Sequence, residues 1–283
     1  MKRPQDILLE ENDMNTIVGL TSAFESLASM RISQTKNQVL QSQGFFNELW
    51  AMYSQLRVDS LFRFGRSKSD DVIDKGLIIA VTAEGGFSGD IDQRLIKAML
   101  EDYDETKHEI VVIGHHGAIQ LAQSHISFMK YFKLPEKDDK INVQPLIQIL
   151  KTYATTTVYY TSYVSLTSQE IKKIELNSAV QIAGSMAVAQ EDIISEKTYI
   201  FEPSSFDVVA HLERSMLEIT LSQVILDSKL AQYASRFKAM TVAKERADEE
   251  LKSLHMLYNR TKRNISDERL KEILNGRKKV ATT

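Results

Sequence analysis

An apolar stripe in the last quarter of the chain constrains the fold more than any other feature of the sequence. Its positions alternate by steps of four and three: Leu226, Leu230, Tyr233, Phe237, Met240, Lys244, Ala247, Leu251, Leu254, Tyr258, Thr261 and Ile265. This alternation keeps one helix face turned toward a partner helix, which is the coiled-coil pattern. Neither proline nor glycine falls inside the stripe. We therefore expect one helix from about Asp207 to Asn275, roughly 100 Å long at 1.5 Å per residue. The predicted seam residues are Leu230, Phe237, Met240, Leu251, Leu254 and Tyr258.

The N-terminal part of the chain offers a partner for this helix. Apolar residues recur there at helical spacing, on both sides of a polar tract at 31–43: Ile17, Leu20, Phe24 and Leu27, then Phe45, Leu49, Met52 and Leu56. Gly44 is the weak point of this pattern. We predict that the helices at the two chain ends pair antiparallel, with the middle of the chain inserted between them.

The middle of the chain alternates between apolar runs and helix-like stretches. The runs at 77–81 and 110–113 are continuously apolar, as in strands buried on both faces. A polar link is predicted at 66–74, helices at 92–103, 119–124 and 143–153, and further strands at 128–132 and 155–164. This alternation predicts an α/β fold with a mostly parallel, Rossmann-like sheet. The predicted domains are an N-terminal coiled-coil helix (1–65), an α/β domain (66–200) and a C-terminal coiled-coil helix (201–283).

Composition narrows the classes of function. The chain has 283 residues and no cysteine, which excludes disulfides, thiolate metal sites and cysteine nucleophiles. No stretch is apolar enough to predict a signal peptide or a membrane span. From Lys229 to Thr283 there are 14 basic and 7 acidic residues, a balance of +7, so the remainder carries −3 − 7 = −10. A basic helix on an acidic body suits an acidic protein surface better than nucleic acid, because its charges alternate in sign and are not interleaved with aromatics.

Two glycine-containing segments invite a ligand interpretation. Residues 82–90, hereafter the glycine loop, follow a predicted strand, as phosphate loops do. The loop has no lysine and no GxxxxGK[ST] pattern, and it carries Glu84 and Asp90 where an anion would bind. His115 and His116 are adjacent, and no carboxylate at helical spacing completes a metal site. Both segments are better interpreted as turns.

Several segments, taken in order, carry a family resemblance. Residues 21–29 are similar to a segment written ITKAMEMVAAS, residues 82–92 to TSDRGLCGGLN, and residues 199–203 to YxxEP. The C-terminal helix adds residues 234–240 for AARMxAM and 258–262 for YNRAR. In this order, across nearly the whole chain, they resemble the gamma subunit of F-type rotary ATP synthases, the central shaft of the catalytic head.

The resemblance implies a non-catalytic subunit that transmits torque and couples ion translocation to ATP synthesis or hydrolysis. The coiled coil would turn inside a ring of three alpha and three beta subunits, which bind Mg-ATP and ADP. The shaft itself would hold no cofactor or metal and bind no nucleic acid. The α/β domain would lie near the epsilon subunit and the membrane rotor ring of c subunits. The complex would sit on the cytoplasmic face of the membrane, with the choice of H+ or Na+ belonging to the membrane subunits.

The resemblance also implies contacts with the catalytic ring. Phe24 would lie near an acidic helical lever of the beta subunit, and Lys262, Arg263 and Asp267 would contact a beta-subunit loop. The chain departs from the family's pattern, as a divergent member would, at Gly19, Ser22, Gln232, Tyr233 and Arg277.

The residues by themselves leave two other functions open. One is a nucleotide-binding α/β module with a coiled-coil oligomerisation arm, suggested by the glycine loop. The other is a structural coiled-coil adaptor. Absence of mononucleotide binding would remove the first, and a monomer with its coiled coil closed within one chain would count against the second.

Overall fold

The computed structural model describes residues 3–55, 73–134, 141–176, 202 and 204–280. These residues form two compact units, one made of Met1–Leu27 with Phe237–Thr283 and the other of Ala28–Arg236. The predicted domain boundaries after residues 65 and 200 lie outside the described residues and stay predictions. Of the predicted link at 66–74, Ile73 and Asp74 belong to a strand, and the rest lies outside the described residues.

A long helix stands at each end of the chain. Helix α1 spans Pro4–Gln55 and helix α5 spans Ser205–Val280. Proline suits the first helical turn, where its missing N–H is not needed. Helix α5 begins two residues before the predicted start because Ser204 precedes it as an N-cap, its hydroxyl oxygen accepting the Asp207 N–H at 3.1 Å. The helix predicted at 207–275 is therefore confirmed and slightly longer.

The first unit pairs the start of α1 with the second half of α5. Glu25 contacts Thr241 and Lys244, and Glu11 contacts His255. Residue numbers fall along one helix as they rise along the other, so the pairing is antiparallel, as predicted. The buried side chains of this unit include Ile7, Thr21, Met240, Ala247 and Leu254.

The second unit contains a five-stranded sheet in the order β3-β2-β1-β4-β5. The strands are β1 (Ile73–Val81), β2 (His108–Ile113), β3 (Lys130–Phe132), β4 (Tyr153–Tyr163) and β5 (Gln169–Glu175). The first four are mutually parallel where they pair, and β5 runs antiparallel to β4. The predicted mostly parallel sheet is confirmed. The sequence analysis missed β5, because its charged residues outnumber its apolar ones.

Helices cover both faces of this sheet. Helices α2 (Ile91–Glu101) and α3 (His115–Gln123) cover one face, packing Leu95 and Leu121 on Ile78. Helix α4 (Gln144–Leu150) and the first part of α5 cover the other, where Leu221 packs in the cluster that contains Ile79. Helix α3 begins four residues before its prediction. Helix α4 stops at Leu150, so the predicted extension to 153 is wrong: the chain turns there into β4.

Candidate functional site

The carboxyl ends of β1 and β4 form the place where parallel sheets of this kind commonly bind ligands. The strand order reverses between these two strands, since β2 follows β1 on one side and β4 lies on the other. Helix α5 reaches both strand ends with consecutive residues. Asp227 Oδ1 accepts the Tyr163 N–H at 3.2 Å, and the Ser228 hydroxyl donates to the Val81 carbonyl at 3.4 Å. The chain's own helix therefore occupies this crevice.

Further along α5, toward its C-terminus, two more side chains bind the glycine loop. The Ser235 hydroxyl donates to the Ser88 carbonyl at 2.7 Å. The guanidinium of Arg236 donates from Nε to the Gly86 carbonyl and from Nη2 to the Gly85 carbonyl, each at 3.0 Å. The loop backbone is thus bound at three carbonyls by two adjacent residues of α5.

The glycine loop forms a turn, as predicted, whereas helix α3 begins at His115, so the turn predicted at the histidine pair is wrong. Gly89 has a φ of 67° and Gly114 a φ of 97°. A Cβ at position 114 would lie 2.1 Å from the Thr82 carbonyl oxygen, so only glycine fits there. The Thr82 hydroxyl accepts the Gly117 N–H at 3.0 Å and so joins the loop to the start of α3. Phe87 is the exception, because it holds a φ of 66° without being glycine.

A buried carboxylate fixes the base of the glycine loop. Asp92 is 4% exposed. Its Oδ1 accepts the Ala83 N–H at 3.0 Å, and its Oδ2 lies 3.2 Å from His116 Nδ1. Burial raises the pKa of the Asp92 carboxyl, while the Ala83 N–H, His116 and Arg236 act in the opposite direction.

The histidine pair separates as adjacent residues on a helix do. His116 contacts Asp92, whereas the His115 ring meets the edge of Tyr131 at 6.3 Å between centroids. The carboxylate beside His116 therefore comes from α2, a different element, which spacing along the sequence could not reveal. Among the described residues, no group of three or more His, Asp or Glu side chains could hold a metal ion.

Arg236 is a half-buried cation whose guanidinium donates hydrogen bonds to main-chain carbonyls. Burial lowers the pKa of its guanidinium, and Tyr233 and Asp92 oppose that shift. The guanidinium carbon lies 5.8 Å from the centre of the Tyr233 ring, a cation–π distance. The charge is therefore balanced by carbonyl dipoles, an aromatic face and a nearby carboxylate.

In the first unit, Lys244 of the α5 stripe has a partner on α1. Lys244 Nζ lies 3.1 Å from Glu25 Oε2, and the Thr241 hydroxyl donates to Glu25 Oε1 at 2.7 Å. Together with the Lys244 ammonium, the Thr241 hydroxyl lowers the pKa of the Glu25 carboxyl. A lysine in an apolar stripe is explained by this pair, which fixes the register of the two helices.

The predicted seam residues are covered to different degrees. Leu230, Met240 and Leu254 are buried, whereas Phe237, Leu251 and Tyr258 are half-buried. Their role as the seam of a shaft stays a prediction. The Lys262 ammonium lies 5.8 Å from the centre of the Tyr258 ring.

The predicted ring-contact residues lie at two levels of the first unit. Phe24 is next to Glu25 and so level with Lys244. Lys262, Arg263 and Asp267 are exposed and follow His255, which is level with Glu11 near the start of α1. The structure does not bring Phe24 together with the other three. Their contacts with other subunits stay a prediction.

The apolar residues that suggested the α1 pairing face do not form it. Ile17, Leu20 and Leu27 are 44%, 54% and 52% exposed, and Phe24 is 36% exposed. The face turned inward instead carries Ile7 and Thr21. Sequence spacing cannot distinguish these two faces, because both stripes recur at helical intervals. We call Ile17, Leu20, Phe24 and Leu27 the outward stripe of α1; apolar spacing alone did not show that this stripe is exposed.

In the part of the chain that the structure describes, no helix has the length and apolarity needed to span a membrane.

Comparison with known proteins gives consistent matches. A family model described as ATP synthase matches residues 11–279. Similar relatives include the ATP synthase gamma chain of Clostridium novyi (strain NT), 23% identical over 273 residues that cover 93% of both chains. The ATP synthase gamma chain of Campylobacter lari is 25% identical over 276 residues, covering 90% of this chain and 92% of the relative.

Solved structures share the fold. The central stalk of the Tetrahymena thermophila mitochondrial ATP synthase aligns with a TM-score of 0.56 and 14% identity, covering 79% of this chain and 99% of that chain. A chain of the Euglena gracilis mitochondrial ATP synthase aligns with a TM-score of 0.53 and 13% identity, covering 90% and 93%.

Proposed function

Because the chain belongs to the family of ATP synthase gamma chains, we propose that it is the central rotor shaft of an F-type ATP synthase, turning inside a ring of three alpha and three beta subunits. It is a non-catalytic subunit: Mg-ATP and ADP are bound by the alpha and beta partners. The observation that carries the proposal is the antiparallel pair of long helices in the first unit. The ion pair between Glu25 and Lys244 fixes the register of these two helices.

A shaft needs stiffness, and the first unit has the features that supply it. The two helices bury Ile7, Met240, Ala247 and Leu254. The α5 part of this unit contains a glycine only at position 276, in the last turn that the structure describes, and no proline. Apolar seams of this kind resist separation because each large apolar side chain that is fully removed from water contributes roughly 1.5–3 kcal/mol. Twisting one helix therefore turns the other with it.

A shaft also needs an outer surface that the ring can grip. The outward stripe of α1 exposes apolar side chains beside the face that contacts α5, and exposed apolar patches mark interaction surfaces. At the other level, exposed Lys262, Arg263 and Asp267 provide charges for polar contacts. Charged contacts exchange readily with water, which suits a surface that must be released at each step.

The end of α5 extends past its partner helix within the first unit. Glu11 is level with His255, so Pro4, the first residue of α1, is level with about residue 262 if both helices rise 1.5 Å per residue. The last described turns of α5 therefore have no counterpart on α1. Exposed Leu270, Ile273 and Leu274 lie there. We assign this end to an apolar sleeve formed by the ring.

The α/β domain would contact the epsilon subunit and the membrane ring of c subunits, at the cytoplasmic face of the membrane. In this arrangement the chain is held at the membrane only through its partners. Rotation driven by H+ or Na+ flow would enter through this domain and leave through the paired helices.

Co-purification tests the proposal. Co-expressed with alpha and beta subunits, the chain should be recovered at one copy per three beta subunits, in a complex that hydrolyses ATP. Ile273→Asn should weaken that assembly, whereas Glu272→Gln, a change at the neighbouring exposed residue, should leave it intact. Hydrolysis of ATP by the purified chain alone, or its failure to assemble, would disprove the rotor function.

A further inference from the structure

The two bonds of Arg236 to consecutive carbonyls need a guanidinium. Its Nε and Nη2 donors point in fixed directions within one plane, and each lies 3.0 Å from its acceptor, the Gly86 and Gly85 oxygens respectively. A lysine ammonium is a single point charge on a flexible stem, and it would not reproduce this two-point geometry. The contact therefore depends on residue type as well as on charge.

The partners of Arg236 are main-chain atoms, so the contact specifies where the loop backbone lies. Ser235 adds a third carbonyl, that of Ser88. Main-chain recognition holds the loop in place whatever its side chains are. Side chains of α5 thus fix the position of three carbonyls within four consecutive loop residues.

The anchor points lie at two angles around α5. At 3.6 residues per turn, Ser235 falls within about 20° of Ser228, whereas Arg236 is about 80° away. Ser228 binds the end of β1, and Ser235 and Arg236 bind the glycine loop. Rolling α5 about its axis in either direction would lengthen at least one of these bonds. Contacts at two angles around the axis therefore oppose rotation of α5 in both directions.

The loop is also fixed from the side of the domain. Asp92 Oδ1 holds the Ala83 N–H at the start of the loop, and the Thr82 hydroxyl accepts the Gly117 N–H. The loop therefore has one end built into the sheet and α3, and its middle bound to α5. Because the loop is bound to the sheet and α3 on one side and to α5 on the other, it transmits force between them.

We propose that Arg236 is a positioning residue for rotary coupling, binding the glycine loop to α5 so that torque passes between the α/β domain and the shaft helix. This inference rests on the rotor function proposed above. It assigns the glycine loop a mechanical task as the joint of the rotor. Without Arg236 the glycine loop loses two of its three described hydrogen bonds to α5, so this joint yields further under the same torque.

The test uses the complete membrane complex with Arg236→Gln or Arg236→Lys in this chain. The matched control is Arg94→Gln, because Arg94 forms an exposed ion pair at 3.3 Å with Asp90 of the same loop. Two quantities are measured: the rate of ATP hydrolysis and the number of ions pumped per ATP. Because the chain has no cysteine, a single Lys97→Cys change on α2 also provides one labelling position for following the angular motion of the α/β domain.

We expect Arg236→Gln to assemble and to hydrolyse ATP at no less than the wild-type rate, with ions pumped per ATP reduced about threefold or more. Angular fluctuations of the labelled domain against an immobilised ring should widen. Arg236→Lys should lie between wild type and Arg236→Gln, and Arg94→Gln should match wild type. The split between hydrolysis and pumping is the signature of a joint, since a general loss of structure would lower both.

Wild-type coupling in Arg236→Gln would overturn the inference and leave the rotor function standing. If Arg236→Gln does not assemble, Arg236→Lys decides, and full coupling there overturns the inference. Failure of both to assemble also overturns it, because Arg236 would then be required for folding. A wild-type chain that neither assembles nor couples would instead remove the proposed rotor function.

Discussion

Replacing Glu25 by alanine should destabilise the paired helices of the first unit by about 2 kcal/mol. Glu25 accepts hydrogen bonds from the Thr241 hydroxyl at 2.7 Å and from the Lys244 ammonium at 3.1 Å. A hydrogen bond to a charged group contributes about 1.5–3 kcal/mol when well buried. The side chains here are 18% and 34% exposed for Glu25 and Lys244, so solvent screening reduces each contribution.

The partners left behind limit the loss. The Thr241 hydroxyl oxygen also lies 3.0 Å from the Phe237 carbonyl oxygen, so in the variant its single proton turns to that carbonyl. The Lys244 ammonium is partly exposed and can turn to water. For these reasons the expected loss stays near 2 kcal/mol and does not approach the cost of an unpaired buried charge.

The same contacts predict a pH dependence. The Thr241 hydroxyl and the Lys244 ammonium lower the pKa of Glu25 below its ordinary 4.5. A carboxyl with a lowered pKa in the folded state stabilises the fold above its unfolded pKa and loses that contribution as the pH falls through the folded value. The difference in free energy of unfolding between wild type and Glu25→Gln should therefore be constant near neutral pH and shrink below pH 4.5.

Urea unfolding followed by far-ultraviolet circular dichroism measures these free energies. A double-mutant cycle of Glu25→Gln with Lys244→Met should give a coupling energy of about 1 kcal/mol. Glu245→Gln, an exposed residue beside Lys244, serves as the control and should change stability by less than about 0.5 kcal/mol. A loss in Glu25→Ala no larger than that in Glu245→Gln, or a coupling energy near zero, would refute the proposal that the Glu25–Lys244 pair fixes the register of the two helices.

Three further tests address other parts of the structure. Leu251→Pro should break α5 at a cost of about 3 kcal/mol and uncouple ATP hydrolysis from ion transport. Leu251→Met, the control, should leave the helix and the coupling intact. Full ion transport in the proline variant would contradict a stiff shaft. Gly114→Ala should destabilise by about 3 kcal/mol, because its Cβ would meet a carbonyl oxygen at 2.1 Å. By contrast, Gly44→Ala, in a helix with open space around it, should stabilise by about 0.5–1 kcal/mol; thermal unfolding compares the two, and equal effects would contradict the assigned backbone. Burial raises the pKa of Asp92, so wild type loses stability as the pH rises above the ordinary value of 3.8. Asp92→Asn should therefore gain stability relative to wild type as the pH rises above 3.8, and a difference in urea midpoints that does not change with pH would contradict this.

Local pattern was enough to predict the helices and all the strands except β5. The stripe along α5 and the apolar runs of β1 and β2 repeat at intervals that only a helix or a doubly buried strand satisfies. A strand such as β5, with sequence QEIKKIE, carries too few apolar residues to be recognised, because it lies at the edge of the sheet and exposes much of its surface. Its place was fixed by pairing with β4, which sequence spacing does not encode.

The sequence by itself determined that two long helices stand at the chain ends, that a parallel sheet lies between them, and that the segments resemble a rotor subunit. Only the tertiary structure decided which face of α1 turns inward, why Lys244 can stand in an apolar stripe, and what Arg236 binds. The physical reason is distance along the chain. Periodicity reports contacts within a few residues, whereas Glu25 with Lys244 and Arg236 with Gly85 are pairs 219 and 151 residues apart, which only the folded chain brings within hydrogen-bond reach.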